Sequence, residues 1–131
     1  MKSLKLLFAG VLVLTLSVTT VAQPKPWPVP TNFVSMKNPV AVSDVSIQAG
    51  QVLYTKHCLS CHGKTGLGDG PKAVSLKDYS GDFSKPEFHS ETDGALFYKS
   101  KIGRGEMPSY EGKLSDTDIW NIVNYMRKLR K

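Results

Sequence analysis

The stretch His57-Cys58-Leu59-Ser60-Cys61-His62-Gly63 constrains this chain more than any other. Cys58 and Cys61 are three positions apart, so one helical turn sets both thiols on a common face, and His62 follows the second thiol directly. Thiols placed this way reach two vinyl groups on one edge of a porphyrin, and the adjacent imidazole reaches its iron. This is the spacing of covalent c-type haem attachment. Competing chemistries account for fewer of the residues. A thioredoxin-like pair needs a βαβ context, and no strand pattern surrounds these cysteines. A zinc site wants further ligands at short spacing, and none is near. A plain disulfide would leave His62 without a role.

The N-terminus has the three parts of an export signal: Lys2 and Lys5, an apolar run from Leu6 through Leu16, and Thr20-Val21-Ala22 as a small-residue cleavage site. An uncleaved anchor is the alternative, because residues 4–22 are just long enough to span a bilayer. Either outcome for residues 1–22 places the body outside the cytoplasm, in the periplasm or on the outer face of the cytoplasmic membrane. The net charge of the 131 residues is +6, of which the leader lysines supply two and leave +4 for the body. That excess favours redox protein partners with acidic docking surfaces. No recognition-helix or RNA-binding signature supports nucleic acid.

Residues 23–42 contain Pro24, Pro26, Pro28, Pro30 and Pro39, five of the eight prolines, which predicts extended chain and forbids a helix. Two roles stand level for this arm. It is a stiff spacer, or Trp27 and Phe33 dock it onto the domain or a partner. From about Ser43 the period becomes helical: Val45, Ala49, Val52 and Leu53 recur beside Tyr54, with Ser43 or Ser46 available as cap. Gly50 inside this helix costs about 1 kcal/mol relative to alanine, which is reasonable where another helix crosses closely.

Residues 63–71 are too rich in glycine for a helix and match neither phosphate-loop spacing. Glycines at this density let backbone approach a flat ligand. Pro71 is a rigid corner, near which a carbonyl could accept from the outer nitrogen of His62 and fix its tautomer. Residues 73–76 read as a short helical turn and residues 77–89 as loop, with Phe83 and Phe88 as candidate haem-packing residues. Thr92 opens a second helix through Ile102, with Ala95, Leu96, Phe97, Tyr98 and Ile102 as its apolar positions, and Gly103 stops it. Ser115, with Asp118 three residues on, caps a third helix whose buried stripe is Ile119, Ile122, Val123 and Met126, flanked by Trp120 and Tyr125. The basic C-terminus complements the helix dipole.

Iron held by His62 needs a second axial ligand or an open position. Met126 belongs to a core stripe, Met36 to the arm, and His57 adjoins Cys58 and points away. His89 is a loop histidine. Met107 sits after a helix stop and before a proline that keeps the backbone extended. A thioether opposite imidazole raises the reduction potential and saturates the iron, which suits electron transfer.

Taken together, Cys58 to Gly63, the Gly66-Leu67-Gly68-Asp69-Gly70-Pro71 loop, Asp93 to Phe97, Gly103 with Met107-Pro108, and Asp118-Ile119-Trp120 with Tyr125 resemble a class I cytochrome c over residues 43–131. The resemblance implies an all-α small cytochrome c fold, about three main helices packed around one covalently attached haem c. It implies a first helix crossing the last at Gly50 and Tyr125, iron ligated by His62 and Met107, and a Pro71 carbonyl behind His62. The expected function is single-electron transfer by a mono-haem protein with no enzymatic activity of its own. Lys64, Lys72, Lys77, Lys99 and Arg104 would then ring the exposed haem edge. Two alternatives stay open: the cytochrome subunit of a larger membrane or extracytoplasmic oxidoreductase complex, and a ligand-binding or peroxide-reducing haem protein.

Overall fold

Pro30 ends an extended stretch and the chain then turns once into a short helix, α1 (Thr31–Val34), in the part of the arm that lacks proline. This is a departure from the extended chain expected for residues 23–42. The prolines at 26, 28 and 30 exclude helix only where they stand, and the next is Pro39. The computed structural model of the chain describes residues 26–129, so the leader, Pro24, Arg130 and Lys131 lie outside the described residues. Among the described residues no helix is long and apolar enough to cross a membrane.

Ser43 starts α2 (Asp44–His57) with a full capping box, its hydroxyl accepting from the Ser46 N–H while the Ser46 hydroxyl accepts from the Ser43 N–H. After Cys58 the helix re-forms for one turn as α3 (Leu59–His62). A 3-10 turn (Ala73–Ser75) follows the glycine loop. Residues 77–89, read as loop, contain a further helix, α4 (Pro86–Ser90), with Pro86 in its first turn where no amide hydrogen is needed. Then come α5 (Asp93–Ile102), capped by Thr92, and α6 (Asp116–Lys128), capped by Ser115 and Asp118 as a second capping box. The described elements are all helical, and the one β-type pairing is a single bridge between Arg104 and Met107.

The frame is the crossing of α2 and α6, the most extensive helix contact in the described fold. A Cβ added at Gly50 would lie 2.0 Å from the Asn121 carbonyl oxygen and 2.9 Å from the Tyr125 Cβ. Only glycine permits that approach. One turn further along α2, the Tyr54 and Tyr125 rings meet with centroids 5.2 Å apart. The face of α2 that packs is therefore Ser46, Gly50 and Tyr54, whereas Val45 and Val52, expected to be buried, are 79% and 64% exposed.

The core joins Tyr54 to Phe83, Phe88, Leu96, Phe97, Ile119, Trp120, Ile122, Val123 and Met126. The Phe97 and Trp120 rings stack at 4.1 Å. Ile102, expected on the apolar side of α5, is exposed at the helix end. Arg127 does more than face a helix dipole. Its guanidinium reaches Asp93 at 2.8–2.9 Å and donates to the Glu91 and Phe88 carbonyls, tying α6 to the start of α5.

Candidate haem site

The backbone of the motif is fully occupied. The Cys58 carbonyl accepts from the Cys61 and His62 N–H groups, and the Leu59 carbonyl from Gly63. The glycine loop then folds back: the N–H of Lys72 donates to the Ser60 carbonyl at 2.7 Å, that of Gly70 to Cys61 at 3.2 Å and that of Gly68 to His62 at 2.9 Å. Side chains complete the set. Tyr110 donates to the His57 carbonyl at 2.7 Å, Ser80 to the Cys61 carbonyl at 3.0 Å, and Tyr54 to the Gly63 carbonyl at 2.8 Å. Every carbonyl from His57 to Gly63 thus has a donor, most of them from outside the motif. The segment is held as a rigid seat.

The side chains of the motif are unspent by contrast. Cys58 and Cys61 are free thiols on adjacent turns, and the His62 Nδ1 is a buried polar atom with no hydrogen-bond partner. Burial holds the His62 imidazole down to about 4, with the Ser80 backbone acting in the opposite direction, so the ring is neutral and able to ligate. Burial, then the neighbouring Cys61, pushes the Cys58 thiol up to about 12. The donor set fits a c-type haem: two thiols and one neutral imidazole on a fixed backbone. Among the described residues no group of three or more His, Cys, Asp or Glu converges as a zinc set would.

Beside the seat lies a cleft of about 590 Å³, lined by His57, Ser60 and Cys61 of the motif together with Leu76, Pro108 and Tyr110. Its size is that of a cofactor pocket. Phe83 packs against the His62 ring at 4.8 Å and stacks in turn on Phe88 at 4.5 Å, so Phe83 lies against the imidazole and Phe88 lies behind Phe83. Met107 is half-buried in the Arg104–Met107 bridge, between the cleft-lining Glu106 and Pro108.

The remaining sequence candidates separate clearly. Met126 is core. Met36 is exposed on the arm. His57 meets the Tyr110 ring edge-on at 5.4 Å. His89 lies on α4 against Phe88, with a buried, unpartnered Nε2. Pro71 is an exposed corner between Gly70 and Lys72, and the His62 Nδ1 does not bond to it or to any other group. Of the basic residues expected around the haem edge, Lys72 lines the cleft, whereas Lys99 pairs with Glu91 and Arg104 is held by the arm. Lys56 lines the cleft and was not anticipated. Glu106, also unanticipated, accepts from the Lys77 N–H at 2.6 Å and ties the Met107 loop to the chain that follows the 3-10 turn.

Fold and site together define a small c-type cytochrome. The family of cytochrome c oxidase, cbb3-type, subunit III matches residues 45–126, and the chain belongs to it. The chain is similar to cytochrome c6 of Picosynechococcus sp., 30% identical over 82 residues that cover 60% of this chain and 68% of the relative. Cytochrome c6 of Petalonia fascia is 28% identical over 82 residues, covering 63% and 91%. Among solved structures, a chain of the Kuenenia stuttgartiensis reducing HAO-like protein complex Kustc0457/Kustc0458 superposes with a TM-score of 0.66 at 26% identity, over 84% of this chain. This chain spans about half of that one, 52%. The KustC0563 c-type cytochrome superposes with a TM-score of 0.55 at 25% identity, over 63% of this chain and 98% of its own length. As a c-type cytochrome the chain carries covalent haem c with its iron, transfers electrons, and has redox proteins as partners.

Proposed function

We propose that this chain is an exported mono-haem electron carrier in which Cys58 and Cys61 form the thioethers and His62 and Met107 are the axial ligands. The reading is carried by the contrast at the motif: a backbone in which every carbonyl is occupied, bearing two free thiols and an imidazole whose buried Nδ1 has no partner. The bound haem supplies a one-electron iron couple. The protein holds His62 neutral, packs Phe83 against it, and offers a thioether from a loop fastened at both sides. In the haem-bound protein the Pro71 carbonyl is the acceptor we assign to the His62 Nδ1, which has no partner in this structure. The sequence holds a single Cys-x-x-Cys-His motif and a leader, which support one haem and export to the periplasm or the outer membrane face.

The carrier has no enzymatic step of its own in this reading. Lys56 and Lys72, exposed in the lining of the cleft, suit an acidic docking surface on the partner. Two measurements test the proposal. Mass spectrometry of protein from its native host gives one haem per chain and the loss of residues 1–22. The oxidised protein shows the far-red sulfur-to-iron band, which Met107→Ala abolishes. An oxidised protein without that band would sink the carrier reading in favour of a ligand-binding or peroxide-reducing haem protein.

One observation favours a second reading, a subunit of a larger oxidoreductase. The likeness to a chain of the Kuenenia complex extends over 84% of this chain, more than residues 43–131 alone provide. Co-purification with other redox subunits from native membranes, together with electron-transfer rates that ignore salt, would replace the mobile carrier with this subunit.

A further inference from the structure

Met107 stands in a short exposed loop in which Arg104, Gly105 and Glu106 are all exposed and add nothing to the core. Its position is set by anchors instead. On one side Arg104 works in two directions. Its N–H donates to the Met107 carbonyl at 2.9 Å and its carbonyl accepts from the Met107 N–H at 3.0 Å. Its guanidinium leaves the loop, donates from Nη1 to the Pro26 carbonyl at 2.7 Å and lies over the Trp27 ring, 4.4 Å from the centroid. On the other side Glu106 is held by the Lys77 N–H.

The arm that receives Arg104 is itself docked along its length. Lys99, paired with Glu91, also faces the Trp27 ring at 5.6 Å. Phe33 packs on Tyr98 at 4.8 Å and on Phe97 at 6.4 Å. Its carbonyl oxygen lies 1.9 Å from where a Cβ of Gly94 would be, so α5 is cut away to admit the arm. At the far end the Asn38 amide donates to the buried Asn124 at 2.8 Å. The arm therefore runs antiparallel to α5, with Phe33 at its start and Trp27 at the end that leads into the Met107 loop.

We propose that residues 26–38 are a strap that holds Met107 in position through Arg104, with Trp27 as the positioning residue that sets its grip. The inference rests on Met107 being the iron's sulfur ligand. A guanidinium stacked on an indole and bonded to a backbone carbonyl restrains the one residue that is bridged to Met107 by two backbone hydrogen bonds. Loosening the stack frees the bridge, and the thioether leaves the iron more often. A carrier with such a strap has a methionine bond whose lifetime is set by a segment remote in sequence.

The test uses the oxidised, full-length holoprotein and measures the rate at which excess imidazole displaces the thioether, followed as loss of the far-red band. Trp27→Ala is expected to raise that rate about two- to fivefold, the range for a cation–π contact at an exposed site. Trp27→Phe, which keeps a ring, should fall between the two. Arg104→Ala should raise the rate further. Adding Trp27→Ala to it should then change little, because the two act through one contact.

Urea midpoints measured in parallel separate positioning from general support. A Trp27→Ala protein with a lower midpoint and an unchanged displacement rate would overturn the strap. Failure of the ligand reading looks different, since the far-red band would then be absent from the parent or survive in Met107→Ala.

Discussion

The Tyr54 phenol donates to the Gly63 carbonyl across 2.8 Å, joining the last turn of α2 to the residue that follows His62. Tyr54 thereby serves the α2–α6 crossing with its ring and the seat of the motif with its hydroxyl. Tyr54→Phe keeps the ring and removes the bond. A loss of about 1 kcal/mol is expected in the urea unfolding of the holoprotein, with the visible spectrum unchanged. A variant as stable as the parent would show that the bond contributes nothing.

Gly50→Ala gives a sign test of the helix crossing. At an exposed helical position the change would stabilise by about 1 kcal/mol. Here the new methyl meets the Asn121 backbone at 2.0 Å, so the helices must separate and a loss of about 1–3 kcal/mol is expected. Thermal unfolding of the two holoproteins decides between these directions.

Loss of both attachment points removes more than colour. A described body of about this size is marginal on its own core, and a buried porphyrin adds much of the missing apolar mass. The double variant Cys58→Ala, Cys61→Ala is expected to show no cooperative thermal transition by far-ultraviolet circular dichroism. A sharp transition in that variant would refute the expectation.

Alkaline stability should carry a tyrosine signature. Burial first, then the Cys58 and Cys61 sulfurs, raises the Tyr110 phenol from 10 to about 12, and burial raises Tyr54 in the same direction. Between pH 10 and about 12 the unfolded chain loses the Tyr110 proton while the folded chain keeps it, so stability falls as pH rises through that window. Tyr110→Phe should flatten this alkaline limb. Once the sulfurs are thioethers their charge is gone and burial remains as the cause. Tyrosinate absorbance followed with pH checks the order of ionisation, and a Tyr110 that titrates with the exposed tyrosines would count against it.

What the sequence conveyed differed from element to element for physical reasons. α6 was legible from Ser115 to Met126 because its cap and its apolar stripe point the same way. The span of α2 was also legible, but its face was not. Its contact surface is built from a serine, a glycine and a tyrosine, so an apolar period selects the outward Val45 and Val52. α4 was missed because five residues carry no measurable period, although Pro86 at its start was a usable signal. Asn124 could not be found at all. It is buried on bonds to Asn38, Val40 and Ser46, partners that lie 78 to 86 positions away. The attachment motif was plain because its chemistry is local, whereas the anchors of Met107 come from Pro26, Trp27 and Lys77.

The hydrogen bond from the Lys77 N–H to Glu106 joins segments 29 residues apart at a residue that lines the cleft. A contact between segments so far apart in sequence forms only when both have reached their places, so this edge of the cleft is made by the tertiary fold and not by the attachment motif.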